Sequence, residues 1–243
     1  MSDLSVPRAW VVAVSLAALV FAGIGCRSVS QDAAVLDLGA AIDRLHRPLP
    51  GDPAALYRVR VSSSGGLRLA VLTSSDQGRL TVSEPFGSAV SLTAWTGSEP
   101  PTFFDLREGC RLESSDLEQV LGIAAMPLPQ AIRLLAGRFP AIGNDRLTPR
   151  EDGRILVEGV GWRAFVTVES DPWRVIRVDE DENRGSGWLL ELANHSLSVP
   201  GSVRVENRDG RWAELELVRL EWNDGGELPS LPDLPLCVGE ADS

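Results

Sequence analysis

The chain has 243 residues, with 34 acidic and 23 basic side chains and a formal charge of −11. Apolar residues make up 44% and charged residues 23%, ordinary for a globular protein and too polar for a multi-span membrane protein. The acidic balance argues against nucleic acid as a partner, because neutralising phosphates needs a basic face, and two His and three Cys leave little for a metal cluster.

From Ala9 to Gly25 the chain is apolar, and the run stops at Cys26. It is slightly shorter than the roughly 20 apolar residues of a membrane-spanning helix. Arg8 precedes it and the small residues Ala22, Gly23 and Gly25 crowd its end, as in a secretory signal. Gly25 directly before Cys26 resembles a bacterial lipobox, although Gly23 stands where Leu is usual. That resemblance implies a diacylglyceryl group on the Cys26 thiol, cleavage after Gly25 and acylation of the new amino terminus. Two or more chains anchor stably, since each buried CH₂ contributes about 0.8 kcal/mol. Arg27, not Asp, follows the cysteine, which favours the outer membrane. The other reading of these residues is a plain signal peptide, or a short anchor with Cys26 unmodified. In an oxidising compartment Cys110 and Cys237 could form a disulfide tying the tail to the middle of the chain, or remain two free thiols.

Residues 31–46 carry Val35, Leu38, Ile42 and Leu45 at helical spacing, which predicts an amphipathic helix ended by Pro48 and Pro50. The period then changes to two. Tyr57, Val59 and Val61 alternate with Arg58, Arg60 and Ser62, and further strands follow over 67–73, 79–84 and 88–96, separated by turn residues. Four such strands form an antiparallel meander. Ser115-Asp116-Leu117-Glu118 is a capping box opening a helix to about Ile123. Pro127 and Pro129 start a second helix, with Ile132, Leu135 and Phe139 on one face and Gly137 and Pro140 at its end. Strands resume over 154–159, 162–169, 173–178, 187–193, 202–207 and 212–222. About ten strands with helices between them predict a mainly β, α+β fold, a strongly curved antiparallel sheet. The domain plan is a signal peptide over 1–25, one folded domain over 26–223 and an acidic, Pro/Gly-rich tail over 224–243 with little packing of its own.

Three segments resemble the LolB family of outer-membrane lipoprotein receptors, within the wider LolA/LolB-like fold. Arg79 through Leu92, with Pro85-Phe86-Gly87 inside it, is similar to the family's strand–loop–strand with a Pro-apolar-Gly tip. Val120-Leu121-Gly122, Met126-Pro127-Leu128-Pro129 and Leu134-Leu135-Ala136-Gly137 look like its helical lid. Val199-Pro200 through Glu221-Trp222-Asn223 resembles its closing hairpin. The resemblance implies an incomplete β-barrel under a helical lid that includes Met126, Pro127, Leu128, Pro129, Ile132 and Leu135. It implies an apolar cavity for the acyl chains of lipoproteins, received from a LolA-like periplasmic carrier and delivered to the outer membrane from its periplasmic side; the protein itself is expected to be a monomer. Membrane lipid would be met through Cys26 and through Phe86, which stands where the family has an exposed Leu. Phe86 could instead fold back into the core. The tail past Asn223 departs from the family pattern.

No enzyme, cofactor or metal is expected. Only His46 and His195 could serve a Ser-His-acid site, and no Gly-x-Ser-x-Gly elbow occurs. Asp179-Glu180-Asp181-Glu182 lacks the spacing of a calcium loop and reads as a solvated turn. Phe103 and Phe104 read as strand core. Trp95, Trp162, Trp173, Trp188 and Trp212 could line the concave face of the sheet. A second functional reading keeps the fold but makes the protein a lipid-sensing regulator or a carrier of another hydrophobic ligand.

Overall fold

The computed structural model describes residues 49–62, 64–74, 77–97, 101–113, 126–170, 173–181, 187–224 and 228–237. All of these lie within one compact unit, Val35–Ser243. Cys26 with its leader, the helix expected over 31–46, the helix expected over 115–123 and the end of the tail lie outside the described residues.

Alternation of apolar and charged residues makes the central strands. In β1 (Asp52–Val61) Ala55, Tyr57 and Val59 are buried while Arg58 and Arg60 are exposed, the period-two signature of a strand with one face in a core. The chain continues through β2 (Ser64–Thr73), β3 (Gln77–Ser83), β4 (Ala89–Thr96), β5 (Thr102–Asp105) and β6 (Cys110–Glu113). Then come β7 (Arg146–Pro149), β8 (Ile155–Gly159), β9 (Trp162–Ser170) and β10 (Trp173–Glu180). Last are β11 (Leu189–Ala193), β12 (Ser202–Glu206) and β13 (Trp212–Asn223). They form one 13-stranded antiparallel sheet in the order β6-β5-β4-β3-β2-β1-β13-β12-β11-β10-β9-β8-β7, not closed on itself. The expected meander is present as β1 to β4. The strands beyond the ten expected are β5, β6 and β7, each of four residues, too short for an alternation to register.

The outer face is a ladder of opposite charges. Arg177, Glu191, Arg204, Glu214 and Arg60 lie opposite one another in register across β10, β11, β12, β13 and β1. Arg60 and Arg204 both reach Glu214, at 2.8 and 3.1 Å, and Arg58 reaches Glu216 at 3.4 Å. Cross-strand pairs of this kind contribute about 0.2–1 kcal/mol each and keep this face in water.

The inner face is apolar from one half of the sheet to the other. Leu69, Val71, Leu80, Val157, Val166, Val178, Val203 and Leu215 belong to one buried cluster, together with the helix α1 (Leu128–Leu135). Because β2 and β8 stand far apart in strand order yet share that cluster, the sheet curves around α1. Pro129 sits in the first turn of α1, where its missing N–H costs nothing. The helix ends in a Schellman arrangement: Arg138 N–H bonds to Arg133 O and Gly137 N–H to Leu134 O. Gly137 has φ +75°, and a Cβ there would lie 2.6 Å from the backbone of Ser198 and Val199, so this position requires glycine twice over.

Candidate functional site

Six of the eight residues of α1 are buried: Leu128, Gln130, Ala131, Ile132, Leu134 and Leu135. Burial nearly all round departs from the one-sided helix that the sequence suggests. The expected lid residues Met126, Leu128, Ile132 and Leu135 are all in the core, and Pro127 and Pro129 are half-buried at the start of the helix. Ile132 presses on the sheet at Gly78, where a Cβ would come within 2.7 Å of its side chain. Phe139, expected on the helix, lies beyond its end and is fully buried.

The C-terminal end of α1 is tied to the sheet. The buried Tyr57 hydroxyl, on β1, points its one proton between Leu135 O at 2.9 Å and Pro200 O at 3.0 Å. Leu135 O is one of the carbonyls a helix end leaves unpaired, so the phenol satisfies it and also fastens the β11–β12 connection. Burial pushes the Tyr57 pKa well above the ordinary phenol range. Arg138 pairs with Asp52 at 3.1 Å, and Arg133 Nε donates to Phe139 O at 3.1 Å. At the other end Gln130 donates to Asp145 at 3.4 Å. Sequence reading did not single out Tyr57, because alternation alone marks it only as another inward residue of β1.

Phe86 stands at the tip of the β3–β4 hairpin and is 98% exposed. Glu84 N–H bonds to Ser88 O, and Gly87 N–H bonds back to Glu84 O. Pro85 occupies the second position of that turn, and Gly87, with φ +98°, takes the left-handed conformation that closes a three-residue hairpin loop. The geometry holds Phe86 outward, away from the core. Arg107, on the neighbouring β5–β6 turn, pairs with Glu84 at 2.5 Å.

Cys110 and Cys237 are joined in a disulfide with their Cα atoms 4.8 Å apart. The bond ties the end of the described tail to β6, while none of residues 228–237 is buried. Arg111 N–H donates to Pro235 O and Cys237 N–H to Arg111 O, a short parallel pairing along β6, the edge of the sheet. An edge strand offers unpaired backbone groups, and a segment with Pro at 229, 232 and 235 can cover some of them without offering an edge of its own.

Other candidates resolve into structure. Phe104 is buried and Phe103 half-buried in β5. Trp162 and Trp188 belong to the core cluster, Trp95 is buried near Gly78, and Trp173 and Trp212 are half-buried. In the acidic run Asp179 pairs with Arg177 at 2.8 Å, buried Asp181 with Arg163 at 3.0 Å, and Glu180 accepts Gly187 N–H at 2.7 Å. The first lies within β10, the second ties the end of β10 to β9, and the third joins β10 to the residues before β11; Glu182 lies outside the described residues. His195 engages Val175 O through Nε2 at 2.9 Å; His46 is outside the described residues. Among the described residues no cluster of His, Cys, Asp or Glu could hold a metal ion, and no helix is long and apolar enough to cross a membrane.

A groove of about 680 Å³ opens on the outer face beside Arg58, Arg60, Glu191, Arg204, Glu214 and Glu216. Most of these charges already pair with one another, so a hydrocarbon ligand there would only strip water from them. Among the described residues the inner face is apolar and is covered by α1.

No protein-family model matches the chain, and no curated protein matches it. Among solved structures it is similar to a LolA superfamily protein from Nitrosomonas europaea, with a TM-score of 0.55 at 13% identity. That match covers 79% of this chain and 94% of the other. A hypothetical protein from Chlamydia trachomatis also aligns, over 80% of this chain and 98% of its own, at 15% identity and a TM-score of 0.32. The open antiparallel sheet curved around a short helix is thus the LolA/LolB-like fold.

Proposed function

We propose that this chain is a LolB-like outer-membrane lipoprotein. It is anchored through acylated Cys26, takes the acyl chains of lipoproteins from a LolA-like periplasmic carrier, and passes them into the outer membrane. The observation that carries this reading is the continuous apolar inner face, covered among the described residues by one eight-residue helix that is fastened chiefly at its C-terminal end. A lipid-linked protein cannot cross water with its chains bare. One chain of about 15 methylenes is worth roughly 12 kcal/mol of transfer free energy at 0.8 per CH₂. A sheet whose apolar cover is a single short helix can exchange that cover for hydrocarbon at modest cost, because the two are chemically alike and the core stays dry. In this reading α1 is the lid, the contacts at its C-terminal end are the latch, and Phe86 enters the lipid when cargo is released.

The test uses the full chain reconstituted in vesicles, with a LolA-like carrier loaded with fluorescent lipoprotein. Transfer of the label into the vesicles is expected, and Phe86→Glu should leave uptake intact while blocking incorporation. Absence of transfer would sink the reading. Retention of phospholipid on native purification, with lipoprotein refused, would replace it by carriage of another hydrophobic ligand on the same face.

A further inference from the structure

Two hairpin tips repeat one device. At the β3–β4 tip the order is Glu84-Pro85-Phe86-Gly87, and at the β8–β9 tip it is Glu158-Gly159-Val160-Gly161. Each carries a bulky apolar residue, followed by a glycine of positive φ (+98° at Gly87, +78° at Gly161) and preceded two residues earlier by a glutamate. Both glutamates are ion-paired, Glu84 with Arg107 at 2.5 Å and Glu158 with Arg163 at 3.3 Å. Phe86 is 98% exposed and Val160 fully exposed, and nothing lies near the Cβ position of either glycine, so both tips project freely. Turn chemistry favours Asn, Asp, Ser and Gly, and a valine at the tip of a two-residue turn gains nothing in water.

Strand direction places the two tips at the same rim of the sheet. Every neighbouring pair in the sheet is antiparallel. Counting outward from β1, strands β3 and β8 both run in its direction, so the tips that follow them lie at the same rim. The described tips between them are polar, as at Asn207-Arg208-Asp209-Gly210.

We infer that Val160 is a second membrane contact, and that the protein meets the bilayer with this whole rim, Phe86 and Val160 entering the hydrocarbon border together. The inference rests on the proposed membrane role of Phe86 and adds the orientation that one contact cannot fix. A lipid surface fits better than a protein. Each tip is a lone side chain without the contiguous apolar surround that a protein groove needs, whereas a fluid bilayer accepts isolated side chains without shape complementarity. The ion pairs behind each tip are suited to the headgroup layer and limit insertion to shallow depth. With a formal charge of −11 the chain gains nothing from anionic lipid, so the contact is apolar and insensitive to salt.

The test places the full chain in phosphatidylcholine vesicles that contain a photoreactive group on an acyl chain, with adducts mapped by mass spectrometry. Adducts are expected at Phe86 and at Val160, with Leu197 unlabelled; Leu197 is 61% exposed but lies at the opposite rim. Val160→Asp should lower vesicle labelling at Phe86 about tenfold, because the two tips insert in one event. Labelling of Phe86 alone, unchanged by Val160→Asp, would overturn the inference and leave the proposed function standing. Equal labelling of Leu197 and Val160 would overturn it too. No labelling at either tip would overturn both the inference and the role of Phe86, while the transfer assay still reports separately on acyl-chain delivery.

Discussion

Tyr57 shows how one side chain can set the cost of moving an element. Its ring fills the core between Leu69 and Leu217, its partners in register on β2 and β13, while its hydroxyl spends its proton on two carbonyls that belong to α1 and to the β11–β12 connection. Tyr57→Phe keeps the ring and strands both carbonyls. A buried polar group left without its partner costs about 1–3 kcal/mol, so the unfolding free energy from denaturant titration should fall by an amount in that range. The proposed function adds a second readout that simple destabilisation does not give: acyl-chain uptake should become faster as the latch weakens. Equal uptake rates in the two proteins would show that the C-terminal end of α1 is no latch.

At the scale of elements, what the sequence discloses depends on how local the cause is. The strand β1 is legible because Tyr57 and Val59 alternate with Arg58 and Arg60, and the β3–β4 tip because Pro85 and Gly87 each fix a backbone angle. The β8–β9 turn shows in Gly161, yet Val160 draws no notice beside two strands rich in valine. Cys110 and Cys237 offer a bridge between tail and mid-chain as one of two readings, but the backbone pairing beside it is illegible, since it joins Arg111 to Pro235 and Cys237 across the molecule. The bond between Cys110 and Cys237 closes a loop of 127 residues. In the chain-entropy account a loop of that size contributes up to about 5 kcal/mol by restricting the unfolded chain. Reduction, or Cys110→Ser with Cys237→Ser, should therefore lower the denaturant midpoint with a loss no larger than that. Release of the tail also uncovers β6, so the reduced protein should aggregate faster, which light scattering reads directly. Unchanged midpoint and scattering would mean that the tail contributes nothing to the fold.

The molecule as a whole couples its apolar interior to pH at one described place. His195 follows β11 and, with Leu134, Gly137, Arg138, Val175, Leu192 and Ser198, surrounds a void of about 10 Å³ beside the C-terminal end of α1. Burial lowers its pKa from 6.5; the bond to Val175 O opposes that shift, Arg174 adds to it and Glu169 opposes it, and burial is the largest of these. The folded chain thus binds this proton less readily than the unfolded chain. Stability from this group is complete above 6.5, where both states are neutral, and is lost as pH falls through the lowered folded value. Denaturant midpoints should accordingly decline as the pH is lowered below 6.5, and His195→Gln, which keeps a donor for Val175 O, should flatten that decline. Ionised carboxylates contribute mainly below about pH 5, so the window nearer neutrality isolates the imidazole. Because charge on His195 arises where α1 is latched to the sheet, the same protonation should also raise the rate of acyl-chain uptake in the wild type and not in the glutamine variant. An identical pH slope in the two proteins would remove His195 from the account, and would leave the carboxylates as the source of any acid sensitivity.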